Sequence, residues 1–136
     1  MKRGKPMKRT PMKKRPPRRG AMPTEVRAKV MARNGGRCEA GLKGVCTGAA
    51  EEFHHRRPVG VGSNPHTVGN GAALCHACHD FITFVSPAEG RNRGLCVSRH
   101  YSGDPGDKPM LVRHRAFFQW SLLTEEGGYE PWKGDE

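Results

Sequence analysis

The sequence predicts a small α+β domain assembled around a four-cysteine zinc site and preceded by a disordered basic tail. Three observations carry this. Four of the five cysteines fall in two pairs, Cys38-x7-Cys46 and Cys75-x2-Cys78, so that two knuckles can each bring two soft thiolates to about 2.3 Å of a tetrahedral zinc. An apolar stripe at helical spacing, Val26, Val30 and Met31, is followed by short segments of strand character separated by Gly- and Pro-rich connections. The chain has 136 residues, 35% of them hydrophobic, which allows one thin core of the kind a structural metal commonly supplements.

The tail is set apart by its charge. The chain carries 24 basic and 13 acidic residues for a net charge of +11. Residues 1–22 hold ten of the basic ones, including Lys8, Arg9, Lys13, Lys14 and Arg15, and no acid. A short repeat runs through them, KPMKR at 5–9 and TPMKK at 10–14, and its prolines forbid a helix. This segment is expected to be disordered when free and to lie along nucleic-acid phosphates without sequence preference. The cysteines are compatible with a disulfide framework as well as with zinc. There is no apolar signal-peptide core and no stretch long enough to span a bilayer, so a reducing cytoplasm with thiolate-bound zinc fits better.

The elements follow in order. Folding is expected to begin near Pro23, in a helix with Thr24 as N-cap, Glu25 at its positive end and Asn34-Gly35-Gly36 as its stop; it is expected to pack on the zinc site. Gly41, Gly44 and Gly48 allow the tight turns of the first knuckle. Glu51 to His55 reads as a strand, residues 58–69 as a hairpin loop, and Arg56 and Arg57 stand at its mouth, where guanidinium groups suit phosphate. The second knuckle, Cys-His-Ala-Cys-His at 75–79, should open a helix, with His76 exposed and Phe81, Ile82, Phe84 and Val85 supplying apolar surface. Pro87 ends or kinks that segment, a short helix covers Ala88 to Arg93 with Gly94 after it, and Leu95 to Ser98 reads as a strand in which Cys96 is a reduced structural residue. Met110 to Val112 and Phe117 to Leu123 form a closing hairpin, Gly127-Gly128-Tyr129 a final turn, and Trp120 and Trp132 anchor the core. Walker, Rossmann and nucleophile-elbow motifs are missing, which removes several enzyme classes.

The cysteines leave two histidine positions unexplained. His54-His55, Asn70, and His79 placed next to the last thiolate stand in the order of the HNH nucleases, and residues 51–79 closely resemble that family, including its N-x-x-x-L-C-x-x-C-H pattern from Asn70. The stretches GLCVSR and DPGDKPM and the leader RTPMK are similar to HNH proteins encoded by bacteriophages of actinobacteria. The resemblance implies a ββα-metal (His-Me finger) domain over 23–100, with 101–136 as an extension packed on it.

It further implies that His54 and His79 hold a catalytic divalent ion (Mg²⁺, Mn²⁺, Ni²⁺ or Zn²⁺), that His55 is the general base and that Asn70 pins the loop behind it. The expected activity is metal-dependent hydrolysis of DNA phosphodiester bonds by a monomer or weak dimer, by nicking, with 5′ phosphate and 3′ hydroxyl products and with the phage packaging terminase as a partner. The alternative is a zinc-containing nucleic-acid-binding module without catalysis. Strand alternation is a difficulty here, because neighbouring residues point to opposite faces, and both histidines must serve one site. A common form of the family carries a further His or acidic ligand one helical turn after the last His. This chain has Thr83 there, which leaves water, substrate phosphate or Asp80 to complete the sphere.

Overall fold

The computed structural model describes residues 4, 6–8, 10, 11, 21–60 and 64–134. Of the tail residues expected to meet DNA, Lys8 is exposed, whereas Arg9, Lys13, Lys14 and Arg15 lie outside the described residues, as does most of the segment expected to be disordered. The rest is a small mixed α and β chain with two sheets. Among the described residues no helix is long and apolar enough to cross a membrane.

The first helix, α1 (Thr24–Ala32), starts one residue earlier than expected. The Pro23 carbonyl already accepts from the Arg27 N–H at 3.2 Å, so Pro23 takes the capping position and Thr24 is the first helical residue, without a side-chain cap bond. The helix stops where Gly35 and Gly36 turn left-handed (φ 63° and 77°).

Strands β1 (Glu52–His55) and β2 (Gly71–Leu74) pair antiparallel, with Phe53 opposite Ala73 and His55 opposite Gly71. The period-2 alternation of β2 separates two apolar clusters. Ala73 faces α1 and joins Val30 and Val68, with Val26, Met31 and Phe53 packed against them. Ala72 and Leu74 face the other way, into a cluster that contains Cys38, Cys75, Cys78, Leu42, Ile82 and Leu95. Helix α1 therefore packs on the back of the hairpin and not on the cysteines, because β2 lies between them. Gly71 is required at its place: a Cβ there would sit 2.5 Å from the Phe53 ring.

Helix α2 (His76–Asp80) is capped by Cys75, whose Sγ accepts from the Cys78 N–H at 3.3 Å. It widens into one π-type turn over 81–85, from which only Ile82 is buried, while Phe84 and Val85 stay exposed. Ser86 then caps α3 (Pro87–Asn92), with Pro87 in its first turn. Residues 95–98 are not a strand. Their backbone groups go to single partners on different segments, Cys96 N–H to Gly90 and Val97 N–H to Arg56 at 3.0 and 2.8 Å, so no ladder forms.

Strands β3 (Met110–Arg113) and β4 (Phe118–Leu123) form the expected hairpin, and a third strand, β5 (Tyr129–Pro131), adds to β4 beyond the expected turn. The inner residues Met110, Val112 and Leu123 complete the cysteine-side cluster.

One buried ion pair ties these layers together. Arg33 at the end of α1 meets Glu39 at 2.7 Å with both side chains fully buried. The Glu39 carboxylate also accepts from the Ala73 N–H on β2 at 2.7 Å and from the Tyr129 hydroxyl on β5 at 2.5 Å. Burial, then the Glu39 charge, pushes the Tyr129 phenol up, so it remains a donor. Removing one partner strands the other charge in the interior. Glu39→Ala is expected to lower unfolding free energy by about 3–5 kcal/mol, measured by urea denaturation, whereas Glu25→Ala on the exposed side of α1 changes it little.

Candidate metal centre and histidine site

The four cysteines expected to bind zinc converge. The Sγ atoms of Cys38, Cys46, Cys75 and Cys78 all lie within 4.8 Å of one another, and all but Cys46 are buried. Tetrahedral coordination at about 2.3 Å requires sulfurs about 3.8 Å apart, so a small contraction fits the set to zinc. The chemistry is that of a structural site: four soft donors leave no position for water. Gly41, Gly44 and Gly48 all take positive φ (54°, 74° and 105°), as tight knuckle turns require. Backbone N–H groups of Thr47 and Cys78 point at Cys75 Sγ at 3.5 and 3.3 Å, bonds that favour a thiolate. The Cys38 thiol is held down to about 5 by donation from Cys78, whose own thiol is pushed up by the same pairing and by burial.

The histidines divide by strand face. His54 and His79 come together, with ring centroids 4.9 Å apart at 63°. Each is anchored through one nitrogen. His54 Nε2 lies 2.7 Å from the Leu95 carbonyl, which only accepts, so Nε2 carries the proton and Nδ1 keeps its lone pair. His79 Nδ1 donates to Glu52 at 2.5 Å, which leaves Nε2 as the free lone pair. Burial lowers His54 to about 4, so the ring is neutral near pH 7. An outer-shell carboxylate or carbonyl on one ring nitrogen is how metal-ligating histidines are usually oriented. Among the described residues, however, the four cysteines are the one cluster of three or more metal-capable side chains, so the imidazole pair stands as two donors. Thr83 adds none: its hydroxyl donates back to the His79 carbonyl at 2.7 Å.

His55 points to the opposite face, with its ring 5.0 Å from Phe53 and its Nε2 3.1 Å from His66 Nδ1. Burial and then the neighbouring His66 lower its pKa. Asn70 holds the chain behind it in two directions: Oδ1 accepts from the Arg57 N–H at 2.7 Å, and Nδ2 donates to the Arg57 and Pro65 carbonyls at 3.1 and 3.0 Å.

Arg56 and Arg57 are not at a phosphate-facing mouth. Both are buried. Arg56 donates to the carbonyls of Gly69, Gly94, Pro105, Lys108 and Pro109, and Arg57 to those of Tyr101 and Gly103. The sequence gives no warning of this, because an Arg-Arg pair before a Gly/Pro-rich loop reads as surface.

Glu52 and His66 join the site without having been singled out by any motif. Glu52 is two residues before His54 and so shares its face, a neighbourhood that strand alternation by itself implies. It also bonds His76 Nδ1 at 2.6 Å, and hydrogen bonds from His76 and then His79 hold its carboxyl below the ordinary range. His76 is exposed, as expected. Cys96 is a free thiol outside the cysteine cluster, 3.9 Å from His54 Nε2.

No family model, curated protein or solved structure matches the chain. The cysteine centre makes its own prediction. The purified chain is expected to hold about one tightly bound zinc, by elemental analysis, and excess chelator should abolish the cooperative melt. Cys78→Ser should lose both the metal and the transition, whereas Cys96→Ser keeps the full zinc content.

Proposed function

We propose that the chain is a metal-dependent nuclease of the HNH, ββα-metal type that hydrolyses DNA phosphodiester bonds. The observation that carries this reading is the pairing of His54 with His79, each imidazole anchored through one nitrogen with its other lone pair available. The element order supports it: a β-hairpin that carries the histidine doublet is followed by a helix that carries the last histidine.

A divalent ion held by His54 Nδ1 and His79 Nε2 would supply the positive charge that an anionic phosphodiester needs in order to be attacked. His55 takes a proton from the attacking water; its lowered pKa keeps the imidazole neutral and able to accept. In its two-stranded sheet β1 is paired on one edge only, so a DNA strand laid across the free edge can meet side chains from both faces. Asn70 prevents the end of β1 from moving when that strand arrives. Glu52 fixes the ring of His79. Since one such site cuts one strand, the expected event is a nick with 5′ phosphate and 3′ hydroxyl ends, made by a monomer or weak dimer. The basic tail adds affinity of high salt sensitivity, and the packaging terminase of a phage is the partner this reading carries with it.

A second reading has its own observation. Thr83 supplies no third ligand, and a zinc-containing module that binds nucleic acid without cutting it needs none. Supercoiled-plasmid nicking with Mg²⁺, Mn²⁺, Ni²⁺ or Zn²⁺ added in turn separates the two. Nicking that requires added metal and falls at least about 100-fold in His55→Ala, as loss of a general base predicts, with zinc content unchanged, is the outcome expected of the nuclease. Salt-sensitive DNA binding with no cleavage under any metal would establish the second reading instead, and undiminished cleavage by His55→Ala would remove His55 as the base.

A further inference from the structure

The outer face of the C-terminal sheet is assembled from residues that the nuclease reading does not use. Phe118 and Trp120 are two apart on β4 and therefore share a face. Arg113 and Leu111 stand opposite them on β3. Trp132 bonds its N–H to the Trp120 carbonyl at 2.9 Å and sets its ring 6.2 Å from that of Trp120. Neither tryptophan enters an apolar cluster, contrary to the expectation that both anchor the core. Trp132 is 36% exposed and Phe118 43%.

Two open clefts flank these rings. One, of about 690 Å³, runs between the sheet and the first cysteine knuckle; Arg37, Lys43, Arg93, Arg113 and Arg115 line it, and among the described residues no carboxylate does. The guanidinium groups of Arg113 and Arg93 lie 5.2 and 5.6 Å from the Phe118 ring centroid. The other, of about 860 Å³, holds Trp120 and Trp132 with Tyr101, Arg91, His100 and Lys108, and Asp107 is the one acid among the described residues of its lining. Lys108 Nζ sits 4.4 Å from the Tyr101 ring centroid.

We propose that this face binds an unpaired strand of nucleic acid. Cations alone would suit any polyanion, and exposed aromatics alone would suit any apolar partner. Interleaving the two matches a ligand that alternates phosphate with a stackable base. The excess of cations over acids favours a polyanion, because a basic, acid-poor stripe is the electrostatic footprint of a nucleic-acid site. A duplex cannot present its bases for stacking, so the face selects the strand that opening or nicking releases. The inference shares with the nuclease reading only the premise that nucleic acid is the ligand.

Both tryptophans of the chain lie on this face, so intrinsic fluorescence reports on it directly. The full chain, without added divalent metal, is titrated with an oligothymidylate of about 12 nucleotides, with the matching duplex and with inorganic polyphosphate. Quenching by the single strand but not by polyphosphate is expected, with weaker binding of the duplex. Trp132→Leu should weaken single-strand binding about tenfold, measured by anisotropy of a labelled oligonucleotide, while Trp132→Phe, which still stacks, retains most of it. Lys43→Ala with Arg115→Ala should lower the slope of log K against log salt by about 1.4, roughly 0.7 for each phosphate that is no longer neutralised. An equal response to polyphosphate, an unchanged affinity in Trp132→Leu, preference for duplex, or a fluorescence change that follows self-association in sedimentation would each overturn the proposal. Plasmid nicking without quenching would sink this inference and leave the nuclease intact. Quenching without nicking under any metal would do the reverse.

Discussion

A buried guanidinium that keeps its proton has to find a partner for every N–H, and Arg56 imposes that condition on the whole chain. Burial lowers its pKa to about 10, which still leaves it charged at neutral pH. It is 1% exposed, and among the described residues no carboxylate bonds it. All five of its donors instead go to backbone carbonyls. Those carbonyls belong to the hairpin loop, to the turn after α3 and to the segment that leads into β3. The residue directly after the histidine doublet thus binds the hairpin to the last third of the chain. Arg57 continues the same clamp through Tyr101 and Gly103, and Asn70 closes it from the turn that leads into β2.

With the end of β1 fixed in this way, alternation decides what each histidine meets. Glu52 and His54 lie toward α2, and His79 completes that side. Phe53 and His55 lie toward α1, where His66 reaches back from the loop. Two adjacent residues thereby enter different surroundings. Desolvation holds His54 neutral against a carbonyl, while His55 shares its Nε2 with a second imidazole. The proposed roles of metal ligand for His54 and general base for His55 ask for that difference: one would offer a lone pair of fixed direction, the other would exchange a proton.

The cysteine centre and the C-terminal sheet belong to one packing unit. Cys38, Cys75 and Cys78 share an apolar cluster with Met110, Val112 and Leu123. Residues after 100 are thus part of the interior that surrounds the thiols, and the Glu39 pair crosses the same layers with the Tyr129 hydroxyl. Because the inner side of the sheet is consumed by that core, its aromatic and basic residues are left facing outward.

Features whose chemistry is local can be read from the residues alone. Two cysteine pairs at knuckle spacing, a helix stopped by Asn34-Gly35-Gly36, a strand ending in two histidines and a hairpin at 110–123 follow from periodicity, turn residues and donor type, each legible over a few neighbours. Asn70 is singled out only by the resemblance, because an Asn between two glycines reads by itself as a turn. Whatever depends on partners distant in sequence is settled only when the chain folds. Arg56 and Arg57 look like phosphate ligands until the carbonyls of residues 69–109 are brought around them. Leu95 to Ser98 has strand composition, yet its backbone groups are taken one at a time by His54, Arg56 and Gly90. Trp120 and Trp132 have core composition, yet they stand on the outer face because the alternation of β4 gives its inner positions to Ser121 and Leu123. A residue type states which bonds it can make; only the folded chain supplies the groups to make them with.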